Sequence, residues 1–194
     1  MKSKVHFISF LFGLALVITL LILHFLGISE LFFSLGTIGV WLIFDYLALI
    51  SGKKTSFQIF LKDKKKFALL FLCLVIAGFF IELIFRFILG LWTYPGRENL
   101  FWNIITVFHY GFIFMSFRET YNFIVSYLNK YFSFILSMII GIIIWELPNI
   151  KTYYWVYNIP LISIEILKIN ILVIFGWSIL IAIPLIIYKI LKEK

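Results

Sequence analysis

Cysteine is almost missing from this 194-residue chain. Cys73 stands alone in an apolar run, so no internal disulfide and no cysteine metal cluster can form. Charge is scarce too: nine acidic and seventeen basic residues make up 13 % of the chain, against about 25 % in a typical soluble domain. No stretch long enough for a large soluble domain is left over. Several chemistries are excluded by motifs that do not occur. The sequence has no Walker glycine loop, no GxSxG, no HExxH and no cysteine pair. The Asp-rich repeats by which membrane prenyltransferases hold magnesium pyrophosphate are also missing. No metal or cofactor is expected.

What fills the chain is apolar. Hydrophobic residues reach 63 % and the mean hydropathy is +1.10, whereas soluble domains hold about 45–50 % apolar residues. A bilayer core takes about 20 residues per helix. The expectation is an all-α, polytopic integral membrane bundle of about six spans, with residues 1–194 forming one transmembrane domain. Phe occurs 24 times, mostly as lipid-facing filler. The formal charge of +8 does not point to nucleic acid. Lys53, Lys54, Lys62, Lys64, Lys65 and Lys66 crowd a basic loop over 51–66, and others sit near the two ends of the sequence. Such clusters beside spans lie against anionic lipid.

In chain order, the apolar run from Val5 to Leu26 is too long for a signal-peptide core and reads as a retained first helix, with His6 and His24 at its interfacial ends. The second span covers Leu31 to Ile50 and contains Asp45. In the basic loop, Phe57, Ile59, Phe60 and Leu61 suit an amphipathic segment on the membrane surface. The third span runs from Phe67 to Leu91 with Glu82 and Arg86. The fourth runs from Leu100 to Phe117 with His109 near its middle, and Arg118 to Lys130 reads as too polar to cross. The fifth covers Tyr131 to Leu147, ending at Glu146-Leu147-Pro148-Asn149. A last run from Leu161 to Leu191, with Glu165 and Lys168 as an interfacial ion pair, is expected to tilt or kink.

One pattern recurs. Glu82 leads to Trp92, Tyr94 and Pro95; Glu146 leads to Trp155, Tyr157 and Pro160. The two glutamates are 64 positions apart, and both the tryptophans and the tyrosines 63. A carboxylate deep in a bilayer costs roughly 2.5–3.5 kcal/mol on insertion scales, so it has a use or a partner. The repetition makes spans 3–4 and 5–6 a parallel two-helix repeat around one site. At about 1.5 Å per residue, Glu82 and His109 lie at similar depth and are expected to face each other, with Arg86 beside them. The plainer accounts stay open: Glu82 and Arg86, at i,i+4, neutralise each other, and Trp and Tyr at span ends form an interfacial belt. Asp45 has no basic neighbour in its span, which points to a functional or helix-bridging role.

Isolated acids among aromatics suit protonation of an alkene, because burial keeps a carboxyl group a donor and aromatic faces stabilise the resulting cation. FDYLALISGK around Asp45, the Glu82 segment ending in GLWTYP, and ELPNIKTYYWVYNIP followed by FGW resemble the small membrane carotenoid enzymes, namely the heterodimeric-type lycopene cyclases and the carotenoid hydratases. Their Pro-x-Glu-Glu signature is absent, and Pro95-Gly-Arg-Glu98 and Pro160 with Glu165 are imperfect substitutes for it. The resemblance implies a bundle of six or seven helices acting on the ends of an isoprenoid polyene without redox change. It implies catalytic carboxylates at Asp45, Glu82 and Glu146, with Trp92, Tyr94, Trp155 and Tyr157 around the substrate. His109 joins the candidate acids, and Arg86 and Asn149 the substrate contacts. The other reading is a non-catalytic membrane protein, either a small transporter or a lipid-binding subunit of a homo- or hetero-oligomer.

Thirteen Lys and Arg residues fall on the side of the 51–66 loop and two, Arg97 and Lys151, on the other, which by the positive-inside rule puts both termini in the cytoplasm of a multi-pass cell-membrane protein. A reporter fused after Lys194 or inserted near Asp63 is therefore expected to read cytoplasmic, and one near Gly96 external. An external signal at Asp63 would invert the layout.

Overall fold

A computed structural model describes residues 2–28, 30–159, 164–166 and 169–192 of the chain. Pro160 and Lys168 lie outside them. Among the described residues, six helices are long and apolar enough to cross a membrane. They are carried by α1 (Lys2–Phe25), α2 (Glu30–Ile50), α4 (Lys64–Ile81) with a π-helical continuation over Glu82–Ile88, α5 (Leu100–Ile124), α6 (Lys130–Thr152) and α7 (Ile171–Lys192). A short helix, α3 (Ser56–Lys62), lies in the basic loop. Strands β1 (Trp92–Thr93) and β2 (Val156–Tyr157) pair antiparallel, as do β3 (Glu165–Ile166) and β4 (Ile169–Asn170). The all-α membrane bundle expected from composition is the architecture found.

Side-chain oxygens cap the starts of α3, α4, α5 and α6. Thr55 and Gln58 form a capping box on α3, Asp63 accepts from the Lys66 N–H at the start of α4, and Asn99 and Asn129 accept from the first turns of α5 and α6. Each bond satisfies a backbone donor that the helix leaves open. α5 is the hub, in contact with α2, α4, α6 and α7, while α1 packs chiefly on α2. Close approach is purchased with glycine. A Cβ built on Gly13 would lie 2.8 Å from the Gly39 carbonyl oxygen, and one on Gly78 only 2.3 Å from the Tyr110 Cβ. Outward faces carry Phe12, Leu72, Phe79, Phe108 and Phe175, all exposed, as lipid-facing residues are.

Several boundaries differ from the sequence reading. The fourth helix does not end at Phe117: Arg118 to Ile124 form the last two turns of α5, because the charged pair Arg118 and Glu119 is buried and mutually bonded. α6 runs through Pro148 to Thr152 and stops at Tyr153, which takes a left-handed φ of 49°. The final run is not one long helix: β3 and β4 precede α7. Ile164-Glu165-Ile166 alternates β-branched and polar residues, the two-residue period of a strand. His6 and His24, near the two ends of α1, are buried against neighbouring side chains. The basic 53–66 segment, both ends of the helical chain and Arg118 share one end of the bundle. Arg97 and Lys151 share the other.

The Gly78–Tyr110 contact sets how close α4 and α5 come. Gly78→Ala is expected to destabilise the protein by about 1–3 kcal/mol, the usual cost of overpacking, read as a lowered Tm in detergent. Gly176→Ala, where a Cβ meets nothing within 4 Å, should leave Tm unchanged.

Candidate functional site

At the lysine-poor end, the α4 ladder widens into i→i+5 bonding at Glu82, a π segment of the kind common at functional sites. Glu82 is 2 % exposed. Its Oε1 accepts from the Tyr94 hydroxyl at 2.9 Å and from the Tyr110 hydroxyl at 2.9 Å. Its Oε2 lies 3.4 Å from Arg86 Nη1. The same Arg86 nitrogen donates to Asn103 Oδ1 at 2.8 Å, and the guanidinium sits 4.6 Å from the Tyr94 ring centroid. The carboxylate has a counter-charge on its own helix, and it also gathers two phenols from elsewhere.

The second unit repeats the first with different neighbours. Glu146 Oε1 accepts from the Tyr157 hydroxyl at 2.6 Å and from Trp177 Nε1 at 3.0 Å. No cation pairs with Glu146 among the described residues. Asn149 locks the loop that brings Tyr157 back: its side chain donates to the Trp155 carbonyl and accepts from the Trp155 N–H, each at 3.0 Å. In both units a carboxylate in a helix is bonded by the tyrosine eleven or twelve residues on.

The two loops meet. β1 and β2 pair Trp92 with Tyr157 and Thr93 with Val156, and the Asn158 N–H adds a bond to the Leu91 carbonyl. Trp-Thr-Tyr thus lies antiparallel to Trp-Val-Tyr about a central Thr93–Val156 pair, a local two-fold arrangement of the two repeat units. The Trp92 and Tyr157 rings are 6.5 Å apart, and Trp155 packs on Phe33 at 4.9 Å. Around this ribbon the phenols are hard to ionise. Burial pushes Tyr94 well above the usual tyrosine range, and the bonded Glu82 carboxylate adds to it. Burial does the same to Tyr157, followed by Glu146 and by Tyr94 nearby.

His109 does not face Glu82. It makes no hydrogen bond or ion pair among the described residues, and the next residue, Tyr110, takes the place at the carboxylate. Successive helical residues point about 100° apart. The face of α5 that packs on Gly78 carries Tyr110, so His109 is turned away from it. Tyr110, Asn103 and Trp177 were not legible as site residues, since each is one polar tip in an apolar span.

Asp45 belongs to the opposite end. It is 1 % exposed and accepts from the Thr55 hydroxyl and the Phe57 N–H, both at 2.9 Å. His6 Nδ1 lies 3.6 Å from it. Glu119 accepts from the Ser56 N–H at 2.8 Å and from Arg118. Arg118 also donates to the Lys54 carbonyl and stacks over Tyr188. Two carboxylates thus bind the first N–H groups of α3, where a helix favours negative charge. This arrangement bridges helices and pins the basic loop. Arg118 and Glu119 lie beyond the expected end of the fourth span at Phe117, in a segment that reads as too polar to cross; the apolar spacing of Phe114, Phe117 and Ile124 is the signal that α5 continues.

Among the described residues, no three His, Cys, Asp or Glu side chains converge as metal ligands would. No protein-family model, curated protein or solved structure matches the chain.

The raised phenols give a pH dependence. Because the folded values lie above the unfolded one, near 10, the contribution of Tyr94 and Tyr157 is complete below about pH 10 and is lost as pH rises through their folded values. An ultraviolet titration in detergent should show exposed Tyr127, Tyr131 and Tyr153 ionising first and a late-titrating group that shrinks in Tyr94→Phe and Tyr157→Phe. A single transition near pH 10, unchanged in both variants, would contradict the buried bonds.

Proposed function

We propose that this chain is a membrane enzyme that protonates a hydrophobic isoprenoid polyene, in the manner of the carotenoid cyclases and hydratases its motifs resemble. The observation that carries the reading is the asymmetry between two otherwise repeated units. Glu82 has Arg86 as counter-charge, and among the described residues Glu146 has only neutral donors. A carboxyl group without a counter-charge in an apolar surround is the one suited to hold and deliver a proton. Glu146 is then the acid, and Glu82 the fixed anion of the pair.

The step balances without a cofactor. A terminal C=C of the polyene takes the Glu146 proton with its π electrons, leaving a glutamate and a tertiary carbocation. The faces of Trp92, Trp155 and Trp177 stabilise that cation. Attack by a second double bond, then return of a proton from the adjacent carbon to Glu146, gives a ring; capture of water with loss of its proton to Glu146 gives an alcohol. Neither outcome changes oxidation state. In this reading the lysine-rich end is cytoplasmic, and the polyene enters from the bilayer toward the opposite end.

One observation favours a non-catalytic role, as transporter or lipid-binding subunit: the Glu82–Arg86–Asn103 chain is complete in itself and needs no substrate. The variants separate the two readings. In cells that accumulate an acyclic carotenoid, the wild-type gene is expected to convert the pigment. Glu146→Gln should lower conversion by about 10²–10⁴-fold, the usual contribution of a general acid, while the protein still accumulates in the membrane. Glu82→Gln combined with Arg86→Met should fold, since both charges leave together. Unchanged conversion in Glu146→Gln, or no conversion by wild type, would defeat acid catalysis.

A further inference from the structure

Glu146 holds its donors unevenly. The Tyr157 hydroxyl, at 2.6 Å, and Trp177 Nε1, at 3.0 Å, both donate to Oε1, and Oε2 accepts no hydrogen bond among the described residues. A carboxyl oxygen with two donors is the carbonyl-like one, so in the neutral acid the proton belongs on Oε2. A third donor stands beside the same group. The Trp155 indole N–H acts on both Glu146 and the Tyr157 hydroxyl, yet Trp155 Nε1 is buried with no hydrogen-bond partner. Buried polar atoms are nearly always paired, and an unpaired one calls for an explanation, a catalytic role among them. The residue is not loose. Asn149 bonds both the N–H and the carbonyl of the Trp155 backbone at 3.0 Å, and the indole packs edge-to-face with Phe33, ring centroids 4.9 Å apart. The donor is thus fixed in a place where it lacks an acceptor.

We propose that Trp155 is a positioning residue whose indole N–H serves the glutamate formed when Glu146 gives up its proton. This role rests on the acid-catalysis reading and adds a residue to it. As the O–H bond at Oε2 breaks, its electron pair stays on the carboxylate and the proton passes to the polyene. Oε2 is then an anionic acceptor with an unpaired N–H already beside it. A hydrogen bond to a charged oxygen is roughly twice as strong as one to a neutral oxygen. The N–H therefore favours the ionised acid over the resting one, and a donor fixed in advance needs no reorganisation at the moment of transfer. Glu82 differs in this respect. Both of its oxygens are engaged, Oε1 by Tyr94 and Tyr110 and Oε2 by Arg86.

The test uses the full chain in detergent and reads Glu146 without any substrate. The infrared carboxyl C=O band that is lost in Glu146→Gln identifies the group, and its disappearance as pH rises reports ionisation. Removing the donor favours the protonated form. In Trp155→Phe the band is therefore expected to persist to about one pH unit higher, a tenfold change in proton affinity. Benzothienylalanine at position 155 keeps the bicyclic ring and carries sulfur in place of the N–H. It should move the band equally with Tm unchanged, which separates the lost donor from lost packing. Trp177→Phe, which removes a bonded donor, should move the band in the same direction. In cells that accumulate lycopene, both changes at position 155 are expected to lower conversion by up to about tenfold, short of the loss in Glu146→Gln. An unmoved band in the benzothienylalanine protein would overturn the proposal. A band that moves while conversion stays at the wild-type level would overturn it too, since the donor would then serve the resting fold alone. No conversion by wild type, with the band still moving, would defeat acid catalysis itself and the positioning role with it, leaving Trp155 a donor to a structural carboxylate.

Discussion

A carboxylate inside an apolar bundle must be given donors, and the loops of this protein are arranged around that requirement. Four buried acids are involved: Asp45, Glu82, Glu119 and Glu146. Water is not at hand in a bilayer to satisfy them, and an unpaired polar group there costs several kcal/mol. Each acid draws at least one donor from outside its own helix. Asp45 and Glu119 take the backbone N–H groups of Phe57 and Ser56. Glu82 and Glu146 take the hydroxyls of Tyr94 and Tyr157.

At the two ends the same constraint gives different results. At the lysine-rich end it fixes a surface helix: α3 begins on two carboxylates and the loop chain is held at the Lys54 carbonyl by Arg118. Nothing there is duplicated. At the other end it folds two loops back over the bundle, and the loops pair as β1 and β2. The repeat is not a copy in chemistry, since Arg86 accompanies Glu82 and Trp177 accompanies Glu146.

Composition alone was enough to read six spans, because a 63 % apolar chain has few other ways to fold. The equal spacing of Glu, Trp and Tyr pointed to the right loops, and Glu82, Tyr94, Glu146 and Tyr157 proved to be bonded partners. What failed has a common cause. Depth along a helix can be counted from the sequence, but rotation about its axis is set by packing. His109 was placed correctly by depth and wrongly by face, because Gly78 admits Tyr110 instead. The segment from Arg118 reads as too polar to cross because the mutual neutralisation of Arg118 and Glu119 inside α5 is a tertiary fact. The strand pair before α7 was masked by an apolar content that suits either helix or strand.

The central claim is that the ribbon holds the two carboxylate–tyrosine units together across the bundle. Thr93 and Val156 are its central pair, and Cys73 is the single native thiol. In a Cys73→Ala background, Thr93→Cys with Val156→Cys should be joined nearly completely within one chain by a short bifunctional thiol reagent. Thr93→Cys with Tyr131→Cys, at opposite ends of the bundle, should not be joined. Two freely labelled thiols at positions 93 and 156 that never cross-link would mean that the loops do not pair, and that the repeated glutamates serve separate places.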